Sequence, residues 1–242
     1  FSNPKELIHL KRGIYSLRGD LMKNIIGIGI SPFSMNVCAC MVVIFINNQL
    51  VRFGGDMSVG AFGIANRIVF IFVMFVMGIN QGMQPIAGYN YGAQKLDRMM
   101  QVVKLSIIAA TVIMILGWFL AMLAPRQCVS LFTTDQHLIE TTVHGMRRMM
   151  LMLPIVGYQM VITNFFQCIG KVKISIFLSL SRQLLFLLPA LALLPIWFGL
   201  DGVWLAQPVS DFIASVVTAW IMIVYMHKFK LQHKENQYGR QE

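Results

Sequence analysis

Three ionisable side chains stand inside long apolar stretches of this sequence: Arg67, Arg182 and Asp211. A charge at the centre of a membrane helix costs ~2.5 kcal/mol or more, so such groups usually face a partner or a cavity. Arg67 and Asp211 each lie about eight residues from one end of their stretch, roughly 12 Å deep in a helix, and we predict that they pair. A structural salt bridge is the first interpretation of that pair, and a proton or cation relay is the second. We expect Arg182 to extend to the nearer membrane surface.

Uncharged polar side chains also occur within the apolar stretches. Two interpretations stay open: they form hydrogen bonds between helices, or they line an aqueous cavity. The full set is Asn36, Asn47, Asn80, Gln81, Gln84, Gln159, Asn164, Gln167 and Gln183. Our candidates for a substrate path are Asn36, Asn80, Gln81, Gln84, Asn164 and Gln183.

Prolines interrupt several of the same stretches, and each removes a backbone hydrogen bond and can kink a helix. Proline is more frequent in membrane helices than in soluble ones, so one alone would indicate little. The number of them favours a protein whose helices move. The predicted helix-break or gating positions are Pro32, Pro85, Pro154, Pro189 and Pro208, with Pro195 as a further proline.

Patterns typical of enzymes and metal sites are weak. His137, Glu140 and His144 have near-helical spacing, but they lie in a polar segment between apolar stretches, and we interpret them as an exposed turn. The cysteines have no metal-ligand spacing. The sequence contains no serine nucleophile elbow, phosphate loop or dinucleotide fingerprint. We therefore expect no catalytic residues, no enzymatic activity, no cofactor and no resident metal.

The elements that carry these residues are predicted to be transmembrane helices. The chain is 57% hydrophobic and only 12% charged, and its mean hydropathy is +0.66. Each apolar stretch reaches the ~20 residues needed to cross a bilayer as a helix. The stretches are 25–50, 59–83, 103–123, 146–168, 174–198 and 203–226. The sequence thus predicts an all-α integral membrane protein with six spans.

The distribution of positive charge predicts the orientation. Of the 20 Lys and Arg residues, 14 lie in one alternating set of segments and four, Arg52, Arg126, Arg147 and Arg148, in the other. Cytoplasmic segments carry the excess, so both termini are expected in the cytoplasm. The same placement argues against nucleic-acid binding, because no basic stripe with interleaved aromatics is present.

Three regions follow from this layout. Residues 1–23 are expected to be a cytoplasmic linker, with a mildly amphipathic segment at 6–24 on the bilayer surface. Residues 24–228 form the six-helix transmembrane region, and 229–242 a polar cytoplasmic tail, expected to be disordered from Gln232. The chain opens on Phe1 without a signal-peptide pattern, and we interpret it as the later part of a longer polypeptide.

Residues 78–93, GINQGMQPIAGYNYGA, resemble the signature that ends the eighth helix of multidrug and toxic compound extrusion (MATE) transporters. In it, Gly78 and Gly82 are expected to permit close helix contact and Pro85 to break the helix. Residues 63–68 resemble the start of that helix. Residues 181–183 and 198–204, with Pro208 and Asp211, resemble the last two helices.

The resemblance implies a twelve-helix antiporter of two six-helix lobes, of which this chain is the C-terminal lobe and the N-terminal lobe its missing partner. Such proteins of the bacterial inner membrane exchange Na⁺ or H⁺ for amphipathic, often cationic drugs by alternating access. One branch has acidic residues in the first and fourth helices of this lobe. This chain has amides there, so the coupling carboxylate is expected in the missing lobe.

Alternatives from other classes stay open. The first is a flippase for lipid-linked oligosaccharides in the same superfamily, which would need several cationic residues for its phosphate-bearing cargo. Arg67 and Arg182 are the only intramembrane candidates. The second is a non-transporting assembly subunit, against which the proline-broken helices count. An intramembrane enzyme ranks last.

Overall fold

The computed structural model describes residues 19–238, and the secondary structure over this range is helical. The α-helices are α1 Gly19–Gly92, α2 Leu96–Leu123, α3 Pro125–Ser130, α4 Gln136–Met149, α5 Leu153–Cys168, α6 Val172–Leu180, α7 Leu188–Phe198 and α8 Leu200–Tyr238, with a π-helix, Ser181–Leu187, between α6 and α7. The predicted all-α class is confirmed.

The chain divides into two compact units, Phe1–Val37 and Cys38–Glu242. In the first unit, the described backbone is helical from Gly19 onward. Most of the predicted linker at 1–23 and of its amphipathic segment lies outside the described residues. The second unit contains the remaining helices and the pockets.

A break at Gly55 divides α1. Its backbone has φ 69° and ψ −176°, a conformation that glycine adopts without a Cβ clash. The apolar stretch Asn36–Gly92 contains 57 residues, roughly 86 Å of helix, far more than the ~30 Å hydrocarbon thickness. The break therefore separates two spans.

Three further helical stretches have the length and hydropathy of a span: Leu96–Leu123, Val172–Phe198 and Leu200–Met226. Helices α4 and α5 together pass the same test as a broken span bent by 56°. With α1 divided at Gly55, the described part of the chain has the six predicted spans. The region expected to be one straight helix at 146–168 is instead the end of α4 followed by α5.

The bend between α4 and α5 has a local cause. Helix α4 ends at Met149, and Pro154 lies in the first turn of α5, where its missing N–H is tolerated. The chain can change direction there with little loss of backbone hydrogen bonding.

Small residues permit close packing in the second unit. A Cβ at Gly157 of α5 would lie 2.9 Å from the carbonyl oxygen of Ala110 in α2. A Cβ at Gly145 of α4 would overlap the indole ring of Trp204, which is only 2% exposed on α8. These contacts hold α2 against α5 and α4 against α8.

The last span begins after a turn at Gly199, whose φ is 56°. Helix α8 then continues to Tyr238, so the tail expected to be disordered from Gln232 is helical as far as the structure describes it. Its Lys, Gln and Glu residues favour helix, and no proline or glycine follows the membrane span before Gly239.

Candidate functional site

A cavity of about 190 Å³, here called the Asp211 pocket, lies in the second unit. It is bordered by the part of α1 after Gly55, the α4–α5 junction, the π-helix and α8. Its apolar residues are Val69, Phe70, Val73, Met149, Leu153, Val156 and Met160, and its polar residues are Asn66, Arg182, Gln207 and Asp211. An apolar pocket with a few convergent polar groups is the usual form of a small-molecule site.

The charges in this pocket form an ion pair. The Nε atom of Arg182 lies 2.9 Å from Oδ1 of Asp211, and the two side chains are 29% and 6% exposed. The predicted pair of Arg67 with Asp211 is therefore wrong, because Arg182 occupies the carboxylate and Arg67 is exposed. Arg182 likewise does not extend to the membrane surface as expected, since the buried carboxylate of Asp211 would then be left without a counter-charge.

The π-helix fixes the position of Arg182. A π-helix pairs backbone groups that are five residues apart, not four as in an α-helix, and such segments are frequent at functional sites. Here the carbonyl oxygen of Arg182 accepts a hydrogen bond of 2.9 Å from Oγ of Ser210. Ser210 and Asp211 are consecutive on α8, so α8 holds Arg182 by its backbone and by its side chain.

Two polar residues of the pocket, Asn66 and Gln207, are absent from the sequence-based candidates. Gln207 lies four residues before Asp211, a spacing that places two side chains on one face of a helix. This spacing from Asp211 is the feature of the sequence that could have identified Gln207 as a pocket residue. Asn66 is adjacent to Arg67, but only the packing of the helices shows that Asn66 is the one that lines the pocket.

The predicted path residues Gln84 and Asn164 lie together. Nε2 of Gln84 on α1 donates to Oδ1 of Asn164 on α5 at 2.9 Å. Nδ2 of Asn164 in turn donates to the carbonyl oxygen of Met160 at 3.3 Å. This geometry fits the first interpretation of the polar set, a hydrogen bond between helices.

The other amides occupy several environments. Asn80 is 2% exposed, and neither polar atom of its side chain has a hydrogen-bond partner in the described part of the chain. Oε1 of Gln183, on the π-helix, is also buried without a partner among those residues. Gln81 is exposed, and Asn36 belongs to the first unit. The structure therefore does not gather the predicted path residues at one pocket.

The prolines have different effects on their helices. Pro154 and Pro189 occupy first turns, of α5 and α7, whereas Pro208 lies inside α8. Pro32 and Pro85 lie within α1, whose only non-helical residue is Gly55. The break expected at Pro85 is thus not found, because the φ fixed by proline is itself helical and a long helix can lose one hydrogen bond.

The glycines near Pro85 also differ from expectation. A Cβ at Gly78 or Gly82 would have no atom within 4 Å in the described chain. The close helix contact predicted there is not made within this structure. Gly88 does approach another segment, since a Cβ there would lie 3.6 Å from the carbonyl oxygen of Cys168.

A second cavity, here called the arginine pocket, has a volume of about 450 Å³. It lies between the end of α2, α3 and α4, and its lining includes Met122, Arg126, Glu140, His144, Arg147 and Arg148. Of the predicted polar turn, Glu140 and His144 line this pocket, whereas Nδ1 of His137 lies 2.8 Å from Sδ of Met57. Within the described residues, no three His, Cys, Asp or Glu side chains are close enough to hold a metal ion.

The chain is similar to known proteins that are about twice its length. The chain is 26% identical over 212 residues to the multidrug export protein MepA of Staphylococcus aureus strain MSSA476, covering 88% of this chain and 46% of MepA. It is 38% identical to the solved structure of the MATE multidrug transporter DinF-BH, with a TM-score of 0.73, covering 86% of this chain and 46% of that one.

The chain also shares its fold with a transporter of lower sequence identity. The inward-facing conformation of a MATE family transporter of the MOP superfamily matches with a TM-score of 0.81 and 20% identity, covering 89% of this chain and 50% of that chain.

The chain thus spans about half the length of the relatives it matches. The MatE family model matches residues 30–191. The apolar helices long enough to cross a membrane and this match together show that the chain is an integral membrane protein of the MATE transporter family.

Proposed function

We propose that this chain forms the C-terminal lobe of a secondary transporter that exports amphipathic, often cationic compounds in exchange for Na⁺ or H⁺. A six-helix N-terminal lobe of the same polypeptide would complete it, in a bacterial inner membrane with both termini in the cytoplasm. The observation that carries the proposal is the ion pair of Arg182 and Asp211 in an apolar intramembrane pocket.

The composition of the Asp211 pocket supports an amphipathic substrate. Seven apolar side chains surround four polar ones, so a molecule with an apolar body and a polar or charged group matches both. A cationic group near Asp211 would compete with Arg182 for the carboxylate. The volume of about 190 Å³ is below the ~300–1,000 Å³ of a pocket for a drug-sized ligand, as one side of a cavity shared by two lobes would be.

The irregular points of the helices support alternating access. Gly55 divides α1, a bend of 56° separates α4 from α5, and the π-helix interrupts the fifth span. Transporters concentrate such breaks near their binding sites, where a local change in backbone angle moves a whole helix end. Two of these features, the bend and the π-helix, border the Asp211 pocket.

Asp211 is a poor candidate for the main coupling carboxylate because an arginine already neutralises it. The amides at Asn36, Asn47, Gln159 and Asn164 cannot bind a proton in its place at physiological pH. We therefore place the coupling site in the N-terminal lobe. In this scheme Asp211 contributes to substrate binding in the C-terminal lobe.

Transport by the full-length protein, that is, this chain joined to its N-terminal lobe, tests the proposal. Purified protein in liposomes would be given an imposed Na⁺ or H⁺ gradient, and movement of a fluorescent organic cation would be recorded. We expect transport with at least one of the gradients, and strong inhibition in Asp211→Asn but not in Arg67→Gln. Absence of gradient-driven transport by well-folded protein would contradict the function.

The flippase alternative has less support. A phosphate-bearing cargo requires net positive charge in the cavity, but Asp211 neutralises Arg182 and Arg67 is not among the residues that line the pocket. A non-transporting assembly subunit would not need an intramembrane pocket with convergent polar groups. The same liposome assay separates the three functions, because only the exporter moves a free organic cation.

A further inference from the structure

The arginine pocket concentrates positive charge on the side of the membrane where the sequence has least. Four basic residues lie in the segments predicted to be extracytoplasmic, and three of them, Arg126, Arg147 and Arg148, line this pocket. Basic residues are disfavoured on that side during insertion. Their convergence from α3 and α4 on one cavity therefore indicates a binding role.

Part of this charge is fixed by internal pairs. Nη2 of Arg148 lies 3.0 Å from Oδ2 of Asp201, and Nε2 of His144 lies 3.0 Å from Oδ1 of the same carboxylate. Arg148 also contacts His144 directly. One carboxylate thus holds two members of the pocket wall in place and neutralises one of them.

The remaining charge is available to a ligand. Nη2 of Arg126 is 3.7 Å from Oε1 of Glu140, and these side chains are 73% and 68% exposed. Such a long, exposed pair contributes little and exchanges readily. Arg147 is exposed, and among the described residues no carboxylate lies within 4 Å of it. Three arginines face two carboxylates, which leaves an excess charge of about +1 for an anion.

An apolar surface adjoins the pocket. Met122, in the last turn of α2, lines it together with Leu151, which is 46% exposed. The exposed face of α2 next to Met122 carries Leu116, Leu120 and Leu123, which are 60%, 49% and 80% exposed. Residues three and four apart share one face of a helix, so these side chains form a continuous stripe along the hydrocarbon depth. The stripe suits an acyl chain and the pocket suits its headgroup.

We propose that the arginine pocket binds the headgroup of an anionic phospholipid, with Arg126 and Arg147 contacting the phosphate and an acyl chain lying on the α2 stripe. A phosphodiester carries one negative charge, which matches the excess in the pocket. Guanidinium groups bind phosphate oxygens through paired N–H donors. Arg148 and His144, held by Asp201, form the fixed wall against which the headgroup rests.

Native mass spectrometry of the full-length protein with defined lipids tests this site. We expect phosphatidylglycerol to be retained in preference to phosphatidylcholine, and retention to fall about fivefold for each of Arg126→Gln and Arg147→Gln. Arg126→Lys and Arg147→Lys keep the charge but lose the paired N–H donors, so their retention should fall between that of the wild type and that of the glutamine variants. Arg52→Gln, which removes a basic residue from another part of the same face, is the matched control.

Equal retention of phosphatidylglycerol by the wild type and both glutamine variants would overturn the proposal, as would an equal loss in Arg52→Gln. Inorganic phosphate in large excess should leave the lipid bound, because phosphate has no acyl chain to place on the α2 stripe. Displacement of the lipid by phosphate would instead assign the pocket to free anions. Since the assay measures lipid retention and not transport, its outcome is independent of the proposed export function.

Discussion

Nε of Arg182 and Oδ1 of Asp211 are 2.9 Å apart, and this pair joins the π-helix of the fifth span to α8 in the sixth. The neighbouring residue on α8, Ser210, donates to the backbone carbonyl of Arg182. The two spans are therefore connected at two points around one residue. Any change in the π-helix moves Arg182 and thereby alters the charge balance of the Asp211 pocket.

The ion pair should be visible in thermal unfolding of the full-length protein. Removing one partner of a buried pair costs about 3–5 kcal/mol, and the cost should lie at or below the lower end here because Arg182 is 29% exposed. We expect Asp211→Asn and Arg182→Gln each to lower stability, and the double variant to lose less than the sum of the two. Arg67→Gln is the control and should be nearly neutral. Additive losses for the Arg182 and Asp211 variants would contradict the pairing.

Ser210→Ala should weaken the same junction from the backbone side. It leaves the carbonyl of Arg182 in the π-helix without its hydroxyl donor, at a cost of about 1 kcal/mol. The matched control is Ser130→Ala, since the Ser130 hydroxyl also donates to a carbonyl, that of Gln127, but is exposed. If both substitutions change the unfolding temperature equally, the hydrogen bond to the π-helix has no special role.

Gly145→Ala should destabilise the contact of α4 with α8. The added methyl group would overlap the buried indole of Trp204, and overpacking of a filled core typically costs about 1–3 kcal/mol. At Gly78 a Cβ meets open space, so Gly78→Ala serves as the control and should be neutral or slightly stabilising. Equal stability of the two variants in a thermal unfolding assay would show that Trp204 does not pack on Gly145.

The hydrogen bond between Gln84 and Asn164 predicts a modest loss. Asn164→Ala removes the acceptor of the Gln84 amide, and hydrogen bonds of this kind between membrane helices average about 0.6 kcal/mol. Gln81→Ala, on the exposed part of the same helix, should have a smaller effect. Measuring the unfolding free energies of both variants in the same detergent tests this prediction. A larger loss at Gln81 would indicate that the polar contact lies elsewhere.

The spans could be predicted from the sequence because the criterion for a membrane helix is local. About 20 consecutive apolar residues are enough for the bilayer to impose a helix. Four of the six predicted stretches lie within an uninterrupted α-helix, and the fifth, 174–198, is helical throughout but contains the π-helix. The fourth, 146–168, does not form one helix, and the sequence does not show how sharply Pro154 and the end of α4 redirect the chain. A proline can begin a helix, as Pro154 does, or be accommodated inside one, as Pro85 and Pro208 are.

The partner of Asp211 could not be predicted by the same reasoning. Equal depth in the membrane made Arg67 a plausible partner, but contact also requires that the two side chains face each other around their helix axes. That rotation is set by packing between helices, including the close approaches at Gly145 and Gly157. The π-helix changes the angular position of Arg182 further, and no local sequence pattern indicates it. The presence of Asn66 in the pocket depends on the same rotation.

Efflux of a fluorescent organic cation from cells that express the full-length protein tests the central claim most directly, with Asp211→Asn compared with the wild type and Arg67→Gln at equal membrane expression. If the Asp211 pocket contributes to the transport path, Asp211→Asn should lose most of the efflux while Arg67→Gln keeps it. Wild-type efflux by a normally expressed Asp211→Asn protein would contradict the claim.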